Sequence, residues 1–139
     1  MKLYFSTIVG TLFIFFAPIK GIILLVALST ILDTAFGLWK SKALGEEITS
    51  KKLRMGLVPK LISYISVVML VFASDVFIIN EMTIGLISIV FISTKLVSLA
   101  LLSVEVKSMD ESFVKVKGYS FIEKFKAIIT KVKALKKQF

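Results

Sequence analysis

The chain has 139 residues, 57% of them hydrophobic, and a formal net charge of +9. It contains no cysteine and no histidine, which excludes disulfides, Ser-His and Cys-His nucleophile pairs, and histidine-based metal sites within one chain. A single soluble domain of this length needs more polar surface than this composition supplies.

The positive charge is segregated. Fifteen of the eighteen Lys and Arg residues lie in Lys40–Lys60 or after Ser103, and four apolar runs fill most of the remainder. Beside such runs, basic clusters read as cytoplasmic membrane borders facing anionic lipid, and no nucleic-acid partner is expected.

The first run, Leu3–Ile19, is rich in Phe. A helix over 3–17 would span about 22 Å, short against a hydrocarbon core of about 30 Å. No small-x-small cleavage site follows, and a second run begins at once, so a retained helix is expected rather than a cleaved signal. Pro18 and Gly21 bracket an expected tight turn. The second run, Gly21–Trp39, predicts a helix over 21–39 with one charge, Asp33, and an interfacial anchor at Trp39-Lys40.

The third run predicts a helix over 58–79 carrying Asp75, which Lys20 or outer water could satisfy. The fourth predicts a helix over 82–105 carrying Lys95. The short Asn80-Glu81 link between them implies an antiparallel hairpin. Two crossings separate the basic loop from the basic tail, so the positive-inside rule places both in the cytoplasm. The expected fold is an all-α, multi-pass integral membrane protein. Its membrane domain is 1–113, with four transmembrane helices, the first one short, and both termini cytoplasmic.

The tail, 119–139, is expected to form a separate amphipathic cytoplasmic helix. Phe121, Phe125, Ile128, Val132, Leu135 and Phe139 recur at spacings of three and four, giving one apolar stripe. Lysines, among them Lys124 and Lys131, cover the rest. Such a helix either lies on an anionic leaflet or pairs with another helix.

A charge inside hydrocarbon is costly, so each one needs a partner or a purpose. Asp33 lies about 9 Å inside Trp39 by helical rise, and Lys95 about 15 Å from Glu105. Their depths overlap, and an Asp33–Lys95 ion pair is the expected contact, within or between protomers. The other reading is that Lys95 snorkels and Asp33 is satisfied locally. Ser29, Asp33 and Gly37 share a face of the second helix; Ser63, Ser66 and Ser74 do so on the third, and Gly85, Ser88 and Lys95 on the fourth. Small and hydroxylated residues let membrane helices approach and bond across, so these faces are expected to pack and to support oligomers.

No catalysis is expected. Asp33, Asp75, Glu81 and Glu105 fall at different depths, and no pair has the spacing for a shared metal or acid–base work. There is no glycine-rich phosphate loop. Neither catalytic residues nor cofactor or metal ligands are assigned.

The order of short motifs is informative beyond this. An apolar helix ends in Asp33-Thr-Ala-Phe-Gly37, followed by Trp39-Lys-Ser-Lys42. A polar loop carries Ile48-Thr-Ser-Lys-Lys52, then Met55-Gly-Leu-Val-Pro-Lys60 leads into the third helix, and the fourth ends in Ser103-Val-Glu-Val-Lys-Ser108. This order resembles the phage holin family, which includes toxin-secretion holins of clostridia. The resemblance runs from about Gly21 to Glu111. It implies Asp33, Gly37, Ser50, Gly56, Lys60 and Glu105 as motif residues. It further implies a bacterial cytoplasmic-membrane protein that forms homo-oligomers and opens lesions for host lysis, releasing an endolysin or a toxin, with an endolysin or antiholin as functional partner. The tail departs from the family pattern, being Lys-rich and free of Pro. A reading from another class is a non-lytic scaffold or channel subunit whose tail helix recruits a soluble partner.

Overall fold

A computed structural model describes residues 2–83 and 89–136, and every regular element among them is helical. In chain order these are α1 (Lys2–Phe16), a 3-10 turn (Ala17–Ile19), α2 (Lys20–Ala43), α3 (Ser50–Ser74), a π-helical segment (Asp75–Ile79), α4 (Asn80–Thr83), α5 (Ile92–Lys117) and α6 (Phe121–Lys136). Helices α2, α3 and α5 pack on one another as a three-helix bundle.

Two helical stretches are long and apolar enough to cross a membrane: Tyr4–Ala43, of 40 residues, and Leu53–Met82, of 30. The first joins two of the predicted runs. A straight helix of that length would extend about 60 Å, twice a hydrocarbon core. Pro18 interrupts it. Proline has no N–H to donate and its ring crowds the preceding turn. Phe16 (φ −87°, ψ 0°) and Ile19 (φ −105°, ψ 9°) accordingly leave helical values. The expected tight turn is therefore a one-turn 3-10 joint, and α1 touches the bundle only near its end. There Phe15 stacks on Phe77 at 5.8 Å, and Phe16 lies 5.8 Å from Phe72.

The expected helix over 82–105 is displaced along the sequence. Helix α5 starts at Ile92 and continues to Lys117. Phe91, just before it, takes a left-handed conformation (φ 56°), which costs a non-glycine residue about 1 kcal/mol. Its N–H donates to Asn80 Oδ1 at 3.3 Å, and its ring sits 5.0 Å from that of Phe72. The Pro18 joint, the π segment and the start of α5 thus gather around one phenylalanine cluster.

The predicted basic loop is also shorter than its charge pattern suggested. Helix α2 runs on to Ala43 and α3 begins at Ser50, so residues 44–49 alone connect them. Gly45 (φ +72°) makes the turn, and the Glu46 N–H returns to the Ser41 carbonyl at 2.9 Å. Most of the loop's charges therefore stand on helical turns.

Among the described residues four apolar side chains are fully buried: Ile19, Val26, Val68 and Phe72. Large apolar side chains such as Phe13, Leu24, Leu70 and Phe77 cover the outside. A contiguous apolar exterior on this scale needs a non-aqueous solvent or a partner.

The tail forms the expected separate helix. Gly118 (φ +76°) ends α5 in the left-handed region that suits glycine, its N–H bonded to the Val114 carbonyl at 2.8 Å. Ser120 then caps α6, accepting from the Glu123 N–H at 3.0 Å. Asp110, on α5, reaches across to the same helix start. Its Oδ1 accepts from the Phe121 N–H at 2.8 Å and its Oδ2 from the Ser120 hydroxyl at 2.7 Å.

Candidate functional site

Three elements each contribute one charge to a single cluster. Asp33 lies just past the middle of α2. Lys60 sits on α3 directly after Pro59, the one proline inside that helix. Glu105 lies midway along α5. Lys60 Nζ donates to Asp33 Oδ2 at 2.7 Å and to Glu105 Oε2 at 2.9 Å. Glu105 is fully buried, while Asp33 and Lys60 are partly open. Tyr64 lies one turn further along α3 and is partly buried. One ammonium thus ties all three helices of the bundle together. Its short, charge-assisted bonds are the strong kind.

A cleft of about 560 Å³ opens over this cluster, between the end of α2 and the start of α3. Asp33 and Lys60 form its inner wall, with Gly37, Gly56, Glu47 and Ser112 among the residues around it. A Cβ placed on Gly37 or Gly56 would meet nothing within 4 Å. Neither glycine therefore marks a close helix–helix approach within the chain, and the expected packing of Gly37 against a second copy stays an expectation. Ser50 starts α3 and is exposed.

The expected Asp33–Lys95 pair is not formed within the chain. Asp33 binds Lys60, and Lys95 is exposed on the first turn of α5. The reason is the register of α5 against α2. Trp39 lies 5.8 Å from Phe113, ring to ring, so the level of Trp39 on α5 is Phe113 rather than Glu105. Glu105 shares the depth of Asp33, and Lys95 lies ten residues, about 15 Å, further in.

The second cluster sits at that inner level. Asp75 is fully buried at the start of the π segment. Its Oδ2 accepts from the Thr94 N–H at 2.7 Å and from the Thr94 hydroxyl at 2.6 Å. Asp75 therefore acts as an N-cap lent by one helix to another, satisfying a first-turn amide that has no partner within its own helix. Thr94 rather than Lys20 satisfies Oδ2, in contrast to the sequence expectation, while the buried Oδ1 has no hydrogen-bond partner among the described residues.

The hydroxyls expected to bond between helices mostly bond within their own. Ser29 donates to the Val26 carbonyl at 2.8 Å and Ser74 to the Leu70 carbonyl at 3.1 Å, as do Thr30 and Ser98, not singled out from sequence, to Val26 and Thr94. Ser63, Ser66 and Ser74 lie on the exterior. Gly85 and Ser88 lie outside the described residues.

Sequence reasoning did not single out Tyr64, Thr94, Asp110 or Ser120. The Ser120-x-x-Glu123 spacing before an apolar stripe was a legible capping signal. Asp110 and Thr94 had none, because each acts across a chain reversal. Comparison with known protein families, curated proteins and solved structures finds no match for this chain.

Proposed function

We propose that this chain is a holin-like protein of the bacterial cytoplasmic membrane. It performs no covalent chemistry. It accumulates, oligomerises and opens lesions that release an endolysin or a toxin. The observation that carries this reading is the convergence of motif residues. Asp33, Lys60 and Glu105 are spread over 72 residues of sequence, yet they meet in one ion-paired cluster, with Gly37 and Gly56 on the cleft above it. A chance string of short motifs has no reason to converge.

In this reading α2, α3 and α5 cross the bilayer, with residues 44–49 and α6 on the cytoplasmic side by the positive-inside rule. Helix α1, hinged at Pro18, adds the fourth run and returns Lys2 to the cytoplasm. The serine face of α3 and the apolar exterior are surfaces on which copies associate. Lesions follow when many copies turn the cleft and its charges toward a shared lumen.

Inducible expression in a bacterial host, with growth and a potential-sensitive dye followed together, tests the reading. An abrupt loss of potential after a lag, and lysis when a cell-wall hydrolase is co-expressed, are expected. Unchanged viability and potential at high membrane abundance would instead support the non-lytic scaffold. The exposed stripe of α6 favours that second reading. An antiholin would delay lysis by a lytic partner and cause none alone.

A further inference from the structure

Helix α6 presents an apolar stripe that its own chain does not cover. Phe125, Ile128 and Val132 are 64%, 59% and 57% exposed. Lys124, Lys126, Lys131 and Lys133 are exposed around them, and Glu123, at the first turn, is the one acidic residue of the helix. A cationic helix with a bare apolar stripe calls for an anionic surface with an apolar interior.

The root of α6 lies at the level of such a surface. Trp39 closes the apolar run of α2 and precedes Lys40, the place where amphipathic rings mark the edge of a bilayer. Phe113 stands 5.8 Å from Trp39, and Tyr119 and Phe121 stand 5.4 and 5.6 Å from Phe113. Lys124 sits 3.5 Å over the Tyr119 ring. This aromatic group carries the headgroup level from α2 through α5 to the first residue of α6. Asp110 and Ser120 hold that first turn in place. The helix is thus anchored at the interface rather than hung from a linker.

We propose that α6 is seated on the anionic leaflet of the membrane that holds the bundle. Its lysines lie among lipid phosphates, and Phe125, Ile128 and Val132 lie between the upper acyl segments. This rests on the membrane reading above and is independent of the lytic one.

The absence of cysteine makes a site-specific test direct. Full-length protein carrying Ile128→Cys, labelled with an environment-sensitive fluorophore, is reconstituted in neutral phosphatidylcholine vesicles and in vesicles with one part in four phosphatidylglycerol. Quenching by spin-labelled lipid is then read. Ala127→Cys, about 100° around α6 from Ile128, is the control, and Leu70→Cys, on the exterior of α3, reports insertion separately. The expected result is strong quenching at 128, at least threefold weaker quenching at 127, and a fall at 128 of threefold or more in neutral lipid. Replacing Lys124, Lys126, Lys131 and Lys133 by Gln should reproduce that fall in anionic lipid. Equal quenching at 127 and 128, or no dependence on anionic lipid, with Leu70→Cys quenched, would overturn the proposal while leaving insertion intact. So would shielding of 128 from lipid that grows with protein-to-lipid ratio, which would assign the stripe to a second copy. Loss of quenching at Leu70→Cys as well would overturn it together with the membrane reading on which it rests.

Discussion

Lys60 is the residue on which the bundle depends most. Two carboxylates, one of them fully buried, share its ammonium. Removing one member of a buried ion pair leaves an uncompensated charge and typically costs about 3–5 kcal/mol. Lys60→Met should therefore lower the midpoint of thermal unfolding in detergent, and adding Asp33→Asn with Glu105→Gln should recover most of the loss. Lys95→Met should leave the midpoint within experimental scatter, since Lys95 carries no ion pair within the chain. If Lys95→Met proved as damaging as Lys60→Met, the assignment of Asp33 to Lys60 would be wrong in the assembled protein. Asp75→Ala removes the borrowed cap of α5, for which about 1 kcal/mol is the usual loss in water. The bare amide of Thr94 should make the loss larger in a membrane. Amide exchange at Thr94, faster in Asp75→Ala than in the parent, is the direct measurement.

At the scale of elements, the junction of α5 and α6 is a hydrogen-bonded latch. Partial burial pushes the Asp110 carboxyl up. Bonds from the Ser120 hydroxyl and the Ile122 and Phe121 amides outweigh this and hold it below the usual carboxylate range. A carboxyl lowered by docking favours the docked state above its free value, near about 4. That contribution disappears as pH falls through the docked value. Exchange at the Phe121 and Ile122 amides, corrected for intrinsic rate, should thus stay protected at neutral and mildly acid pH and open at strongly acid pH. Asp110→Ala should be open throughout. The sequence made much of this scale legible. The break at Pro18 and the stripe of α6 follow from local composition and period. The start of α5 did not, because Ile92 begins a helix inside an unbroken apolar run and is marked only by Asp75 and Asn80 from another part of the chain. The same gap explains the misassigned ion pair. Charge and period placed Asp33 and Glu105 on helices, but not the common depth that Phe113 and Trp39 establish. Lys60 was placed at the entry of the third helix, but nothing local to it signalled its two carboxylate partners.

For the whole molecule, the division of charge predicts how assembly responds to substitution. In the proposed assembly, cationic α6 helices on one leaflet would repel one another and so raise the density needed for copies to associate. A graded Lys-to-Gln series over α6 should advance the onset of potential loss in the expression experiment, step by step with charge removed, at equal membrane abundance. Unchanged timing across the series would exclude that role for the tail. The borrowed cap of α5 also has a consequence for biosynthesis. Thr94 leaves the ribosome 19 residues after Asp75, so on the membrane reading proposed above the acceptor it needs is already in place when α5 is threaded. A circularly permuted chain that presents α5 ahead of α3 would have to park that first-turn amide in lipid with no carboxylate waiting. The order in which the helices are synthesised is thus part of how this protein enters its membrane.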